Sequence, residues 1–376
     1  MAFDPTEWQY QMPVTINAAS VAANMPDGGE SVFPVVLEIV NGGKNWEGDA
    51  ANIFTRVANK ANDIAFTLTD ESTQLLHITP EYNATGGSEH LVSHIGGPSI
   101  ASAVDTELLM WTRDDGAVSQ ESTPYLAADN WAGYWGLHES AAGTGTADTY
   151  QDLSDNANHG DDYVSDAGKT GKVGAGQEFD GTDDYIDLPD LAETAAGTIT
   201  VWINPSTTIG AATNSGLLLN GIGSGAAGET ILLRWTGASG ALDFYIYDGD
   251  FQVARSTTTS WTAGTWYRIA ATWDGTTMRL YVDGAEEDNT LQGSPSGATS
   301  VWRLGRCDSG ANRYFFDGFI DEAGIRSAAS SANWITTTYN CQNANDTFWT
   351  VGSEVAVGGV STPINLFLGS RVLGGI

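Results

Sequence analysis

The stretch from Thr265 to Gly284, TWYRIAATWDGTTMRLYVDG, does most to fix the fold, because two strictly alternating runs meet at an Asp-Gly pair. Tyr267, Ile269, Ala271 and Trp273 alternate with Trp266, Arg268 and Ala270; beyond Asp274-Gly275, Met278, Leu280 and Val282 alternate with Arg279 and Tyr281. A period of two places each set on one face of a strand, and Asp-Gly supplies the backbone conformation that a tight hairpin needs. Asp283-Gly284 repeats the signal, and ALDFYIYDG places Leu242, Phe244 and Ile246 opposite Asp243, Tyr245 and Tyr247. No long segment carries a 3.6-residue period; the best helical candidates are residues 47–62 and 330–339. Many short strands joined by Gly-rich connections predict an all-β chain of two β-sandwich domains, with sandwiches or jelly rolls as the architecture.

At 376 residues the chain can bury two cores. Residues 1–128 read as an N-terminal β-sandwich and 129–354 as a second unit opening on NWAGYWGLHES. Residues 355–376, VAVGGVSTPINLFLGSRVLGGI, form an apolar tail suited to packing on a neighbour or to assembly.

Charge excludes one class of partner. There are 47 acidic residues against 15 basic ones, a formal net charge of −32. Only Lys44, Lys60, Lys169 and Lys172 are lysines. Such a surface is hydrated and self-repelling, and concentrated salt screens the repulsion, which reads as a halophile signature; an acidic exported bacterial protein is the alternative. No basic patch is present to displace phosphate counterions, so nucleic acid is not an expected partner. The longest apolar runs are strand-sized, so no membrane insertion is expected. The opening MAFDPTEWQYQMPVTI lacks a basic region followed by an apolar one, and the expectation is therefore a chain without a secretory leader. Cys307 and Cys341 match no zinc spacing; a disulfide and two free thiols are both open.

The second unit resembles the LamG-like family of concanavalin A-like jelly rolls. The residues that carry the likeness are GKVGAGQEFDGTDDYIDLP, GTITVWINP, GTWYRIAATWDGTTMRLYVDG, RLGR and FFDGFIDEAGIRSAASSANWI, in the family's order. The first unit more loosely resembles a β-sandwich of unknown function found upstream of such domains in archaeal and bacterial surface proteins, through FPVVLEI, NDIAFTLTDESTQLLHI and VDTELLMW; LLMWTRDDGA departs from that pattern. The resemblance implies binding of glycans or proteins and a structural calcium, with hydrolases and lyases a minority. It points to Asp152, Asn156, Asn158, Asp180 and Asp321 as calcium ligands, because the loop DLSDNANHGDD and the IDE strand approach each other in the family. Calcium needs six to eight oxygens on backbone that can curl around it, which that loop offers; an acidic coat is the competing explanation.

Other chemistry falls away. The Glu-x-Asp-x-x-Glu run of the family's hydrolases is absent, and EEDNT at 286–290 reads as a solvated loop. No Gly-x-Ser-x-Gly elbow occurs. GSGAAG at 223–228 leads into a strand and AGKT at 167–170 lacks the preceding Gly, so both read as loops. His90 and His94 in HLVSH have helical zinc spacing but a strand context, where four residues span about 13 Å, so they read as two strand residues that share no ion. Trp202, Trp235, Trp266 and Trp273 belong to core patterns. Tyr247, Phe251, Arg255 and Arg313 are the candidate glycan contacts. In EFDGTDDYIDL, Asp180-Gly181 is expected to turn a strand pair, with Asp183, Asp184 and Asp187 as coat.

The expected function is therefore non-enzymatic: a virion structural or appendage protein of a virus of a halophilic host, on the virion surface, contacting other virion proteins or further copies of itself and host surface glycans. The alternative is an exported cell-surface adhesin or carbohydrate-binding protein.

Overall fold

The computed structural model describes residues 3–27, 30–40, 51–84, 89–97, 99–114, 116, 118–140, 143–220, 231–247, 250–293, 295, 299–309 and 312–357. The fold is all-β with two sandwiches, as the alternation predicts. GSGAAG and most of the apolar tail lie outside the described residues.

In the first sandwich, one sheet runs Trp349–Val351, Tyr10–Ile16, Thr106–Thr112, Ile64–Leu68, with Val355–Ala356 also on Tyr10–Ile16. The other is Pro34–Val40, His90–Gly96, Leu76–Asn83. The chain's late strands thus cross the expected boundaries: residues assigned to the second unit and the tail complete the first sandwich. Open hydrogen-bonding groups on the edge of Tyr10–Ile16 are what they satisfy.

The second sandwich faces an eight-stranded sheet against a seven-stranded one. The first runs Ala285–Leu291, Thr277–Val282, Tyr267–Trp273, Gly197–Pro205, Asp317–Arg326, Ala175–Asp180, Asp166–Thr170, with Trp131–Trp135 also on Asp317–Arg326. The second runs Phe251–Arg255, Leu242–Tyr247, Ile231–Trp235, Ser215–Asn220, Thr299–Leu304, Tyr185–Ala192, Asp161–Tyr163. Asp283 and Gly284 both have positive φ, 50° and 79°, the two-residue turn expected of Asp-Gly between strands. Ile269, Ala271, Trp273, Met278 and Leu280 fill the jelly-roll core together with Leu242, Phe244 and Ile246.

Three details differ from expectation. Ala175–Asp180 and Tyr185–Ala192 are joined by the predicted turn, with Gly181 at φ 72°, but they lie in opposite sheets. The turn carries the chain across the sandwich. Residues 286–290 form part of an edge strand, Ala285–Leu291, whose Glu287 and Asp288 accept backbone N–H groups of Thr258 and Arg255. Trp202, Trp235 and Trp273 are core, whereas Trp266 is half-buried against Phe319, since it precedes the strand.

The helix Ala332–Asn343, begun by Ser331 accepting the Trp334 N–H, covers the outer face of the eight-stranded sheet, where Tyr339 stacks on Trp202. Its Trp334, Ile335 and Cys341 pack into the first sandwich's core, which also takes in Trp131, Tyr134 and Ala270. The first sandwich's core therefore extends onto the outer face of the eight-stranded sheet, while the jelly-roll core between the two sheets is a separate cluster. In the other predicted helical region, Ala51–Arg56 and Lys60–Asp63 are short helices.

Inside the first sandwich, His77 is fully buried, lies edge-on to Phe66, and has no hydrogen-bond partner at either ring nitrogen among the described residues. Burial pushes it down to about 4. The unfolded chain then binds a proton that the folded chain does not, so stability is lost as pH falls from about 6.5 to about 4, by roughly 3 kcal/mol. His77→Leu should flatten that part of the urea stability profile; an unchanged slope would assign it to other groups.

Candidate functional site

The eight-stranded sheet is covered by the helix and the first sandwich, so the outer face of the seven-stranded sheet is where a ligand can approach the jelly roll. Alternation decides what it displays. Ile186, Leu188, Trp302 and Leu304 point into the core, which leaves Tyr185, Asp187 and Arg303 outside. Tyr163 stacks on Tyr185 with ring centroids 4.6 Å apart and planes 9° apart. Arg306 lies 5.1 Å from the Tyr185 centroid and 5.7 Å from that of Phe315, and Arg303 ion-pairs with Asp187 at 2.7 Å. At the other edge, Phe251 packs on Tyr247 at 4.9 Å and on Tyr245 at 5.5 Å.

Between the two patches lies the hairpin Arg306–Ser309 with Asn312–Phe315. Its buried Cys307 thiol donates to carbonyls of Leu218 and Leu233, and a Cβ at Gly216 would meet its backbone at 2.2 Å. The hairpin divides the face in two.

Of the expected glycan contacts, Tyr247 and Phe251 are thus brought together. Arg255 is half-exposed but pinned by both oxygens of Asp243, at 2.6 and 2.8 Å. Arg313 is exposed on the hairpin opposite Asp308. The Tyr163–Tyr185 stack escaped sequence reasoning because its two tyrosines belong to strands 22 positions apart; the alternation of Tyr185 with Ile186 and Leu188 was the available signal.

The five expected calcium ligands fall in three places. Asp152 accepts from Tyr134 N, Ser154 N, Ser154 Oγ and Asn158 N, between 2.6 and 2.9 Å, which uses all four of its lone-pair positions. Asn156 and Asn158 donate to the carbonyls of Trp131 and Ala132. Asp321 accepts the N–H groups of Lys172, Val173 and Glu322 in full burial, facing the first sandwich. Asp180 sits beside Asp317, four residues and about 13 Å along the strand from Asp321, so one ion cannot take both. Asp180 instead groups with Asp183 and Asp184, their oxygens within 4.8 Å. Asp184 is buried and accepts N–H groups from Ser165 and Asp180, and Asp187 is paired with Arg303, so neither is mere coat.

A second constellation lies between the sandwiches. His94 from His90–Gly96, His138 beyond Trp131–Trp135, and Glu322 in Asp317–Arg326 converge there, each side chain at most 6 % exposed. Burial depresses His94 to about 4. Burial would also lower His138, but Glu322 and Glu81 reverse this and push it up to about 10. Glu322, though buried, is held below the usual carboxylate range by His94, His138 and Tyr134. His90 and His94 lie on one strand, His90 against Glu81 and His94 facing Glu322.

The cysteines are free and buried in different clusters, and burial pushes the Cys341 thiol up to about 12.

Among solved structures, similarity is found to domain 4 of AbnA, a GH43 extracellular arabinanase from Geobacillus stearothermophilus, in complex with arabinotriose, at 17% identity and TM-score 0.43 over 56% of this chain and 98% of that one. The botulinum neurotoxin serotype D ligand-binding domain in complex with N-acetylneuraminic acid aligns at 13% identity and TM-score 0.41, over 56% of this chain and 50% of that one. A heptameric SAP-like pentraxin from Limulus polyphemus aligns at 14% identity and TM-score 0.36, over 48% and 91%. No curated protein matches the sequence. The family model of the Concanavalin A-like lectin/glucanases superfamily, Laminin_G_3, matches residues 180–336, and that part of the chain is a concanavalin A-like jelly-roll domain.

Proposed function

We propose that the chain is a non-enzymatic glycan-binding protein that uses the outer face of its seven-stranded sheet. The observation that carries this reading is the Tyr163–Tyr185 stack beside Arg306 and Arg303, on the jelly-roll face that the first sandwich and the helix leave open among the described residues. Flat rings offer apolar area to a sugar face at little entropic cost, while Arg303 and Arg306, buried and paired with Asp187 and Asp308, hold the rings in place. Tyr247, Phe251, Arg255 and Arg313 form the second half of the proposed surface. The net charge of −32 supports a high-salt setting.

In its finer form the proposal places the chain on the virion surface of a virus of a halophilic host, among other virion proteins or further copies of itself; display on a cell surface is the second reading. Peptides of this chain in purified virions, found by mass spectrometry, would support the first.

A glycan array probed at high salt, with and without calcium, tests the binding. A hit should weaken at least tenfold in Tyr185→Ala, about 1.4 kcal/mol, with the circular dichroism unchanged. No hit in either condition, or a hit indifferent to Tyr185 and Phe251, would overturn the proposal. Calcium belongs to this reading at Asp180, Asp183 and Asp184: the same array samples should then melt lower in chelator, and Asp180→Ala should abolish that difference.

A further inference from the structure

The three facing atoms of the interface constellation are arranged as a ligand set. Glu322 Oε1 lies 3.7 Å from His94 Nε2 and 3.5 Å from His138 Nε2, and all three atoms fall within 4.8 Å of one another. None of the three has a hydrogen-bond partner among the described residues, although all are buried. Of the remaining polar atoms of these side chains, His94 Nδ1 and Glu322 Oε2 are hydrogen-bonded, whereas His138 Nδ1 is not, among the described residues. His94 Nδ1 is 2.6 Å from Tyr125 Oη. Glu322 Oε2 accepts from Tyr134 Oη and from Gln342 Nε2, the latter at 3.0 Å. Glu81 Oε2 lies 3.1 Å from His138 Nδ1, off the axis of a straight hydrogen bond but near enough to orient the ring.

The backbone is also bent to this end. A bulge in Asp317–Arg326, where Thr200 faces Gly324 but Trp202 faces Asp321, lets Ile320 and Ala323 both point into the jelly-roll core while Asp321 and Glu322 both point out of it. Glu322 has φ 49°, and Leu137, just before His138, has φ 59°. A left-handed backbone at two bulky L-residues costs roughly 1–2 kcal/mol each. Gly136 leaves room for the imidazole: a Cβ there would stand 2.6 Å from the His138 ring.

We infer that His94 Nε2, His138 Nε2 and Glu322 Oε1 bind a zinc-class divalent cation that fastens the two sandwiches together. Two imidazoles and one carboxylate match such ions, whereas calcium would demand six to eight oxygens. Tetrahedral bonds of 2.0–2.1 Å put ligand atoms about 3.3 Å apart, close to the 3.7 and 3.5 Å that separate Glu322 Oε1 from the two imidazole nitrogens. Tyr125, Tyr134, Gln342 and Glu81 are the outer partners that such ligands need for orientation. The first sandwich supplies one ligand and the second supplies two, so the ion acts between them. Water completes the fourth position. This inference does not depend on glycan binding.

Cobalt(II) is the probe. The full chain, stripped with chelator at high salt and dialysed, should take up one equivalent and show the intense visible bands of a tetrahedral site; zinc should displace them and calcium should not. Zinc should also raise the melting temperature of the stripped protein. His138→Gln and Glu322→Gln should weaken uptake more than 100-fold, and Glu81→Gln, one shell out, by about 10–100-fold. His77→Gln should leave it unchanged. If a ligand variant fails to fold, the wild-type spectrum and its zinc competition decide alone. Folded wild type that takes up no cobalt, or that takes it up equally after His138→Gln and Glu322→Gln, would overturn the inference and leave a protonated His138 between Glu81 and Glu322 as the occupant.

Discussion

Trp349→Ala should cost the first sandwich about 3–5 kcal/mol, although Trp349 lies more than 200 residues beyond the expected end of that domain. Its side chain is fully buried, edge-on to Phe348 at 5.7 Å, in the same core as Met12, Val14 and Ile16. The indole N–H donates to the Val36 carbonyl at 2.7 Å and so ties one sheet of the sandwich to the other. Asn345 Nδ2 also donates to that carbonyl, at 2.7 Å, so the cost comes from the cavity and not from an orphaned acceptor. Against a total stability on the order of 5–15 kcal/mol, the loss is large. Urea unfolding followed by tryptophan fluorescence would measure it, and a loss below about 1 kcal/mol would mean that the returning strand is peripheral. The same reasoning separates two truncations. Ending the chain after residue 357 keeps both returning strands on Tyr10–Ile16, whereas ending it after residue 348 bares that edge and should produce aggregation.

The returning strands also mark where sequence reading stops. Alternation identified the hairpin from Tyr267 to Val282 and the faces of Leu242–Tyr247 because each signal is local: a period of two and a turn residue suffice. Which sheet a strand joins is not local. Nothing in WTV shows that it pairs with Tyr10–Ile16, and nothing in EFDGTDDYIDL shows that its two strands face each other across a core. The interface constellation was hidden for a related reason. Strict alternation after Ile320 sends Asp321 outward and Glu322 into the jelly-roll core; the bulge cancels that rule at one residue. Asp321 was therefore singled out while its neighbour, which meets both histidines, was not. His94 was legible as a buried strand position, but His138 and Glu322 are brought to it only by the packing of one sandwich on the other.

A second buried link between the sandwiches should show how much of their stability is shared. Arg326 ion-pairs with Glu30, with 3% and 5% of the two side chains exposed, and also donates to Ser330 Oγ at 2.5 Å and to the Asp129 carbonyl at 3.1 Å. Its guanidinium lies 5.3 Å from the ring centroid of Trp131 and 5.1 Å from that of Trp334. Breaking such a pair from one side strands a buried charge, so Arg326→Ala and Glu30→Ala should each cost about 3–5 kcal/mol. Replacing both should cost less than the sum by at least about 2 kcal/mol, because the second change removes the charge that the first left unpaired. Strictly additive losses would mean that the pair contributes nothing beyond packing. The pH dependence gives a second reading. Burial raises the Glu30 carboxyl above its ordinary range, and Arg326 opposes that shift. A raised folded-state pKa means that the stability tied to Glu30 is fully present below the unfolded value and is lost as pH rises through the folded one. Removing the guanidinium enlarges the shift, so the deficit of Arg326→Ala should be greater at about pH 8 than at about pH 5. Glu30→Gln in the same background should abolish that difference.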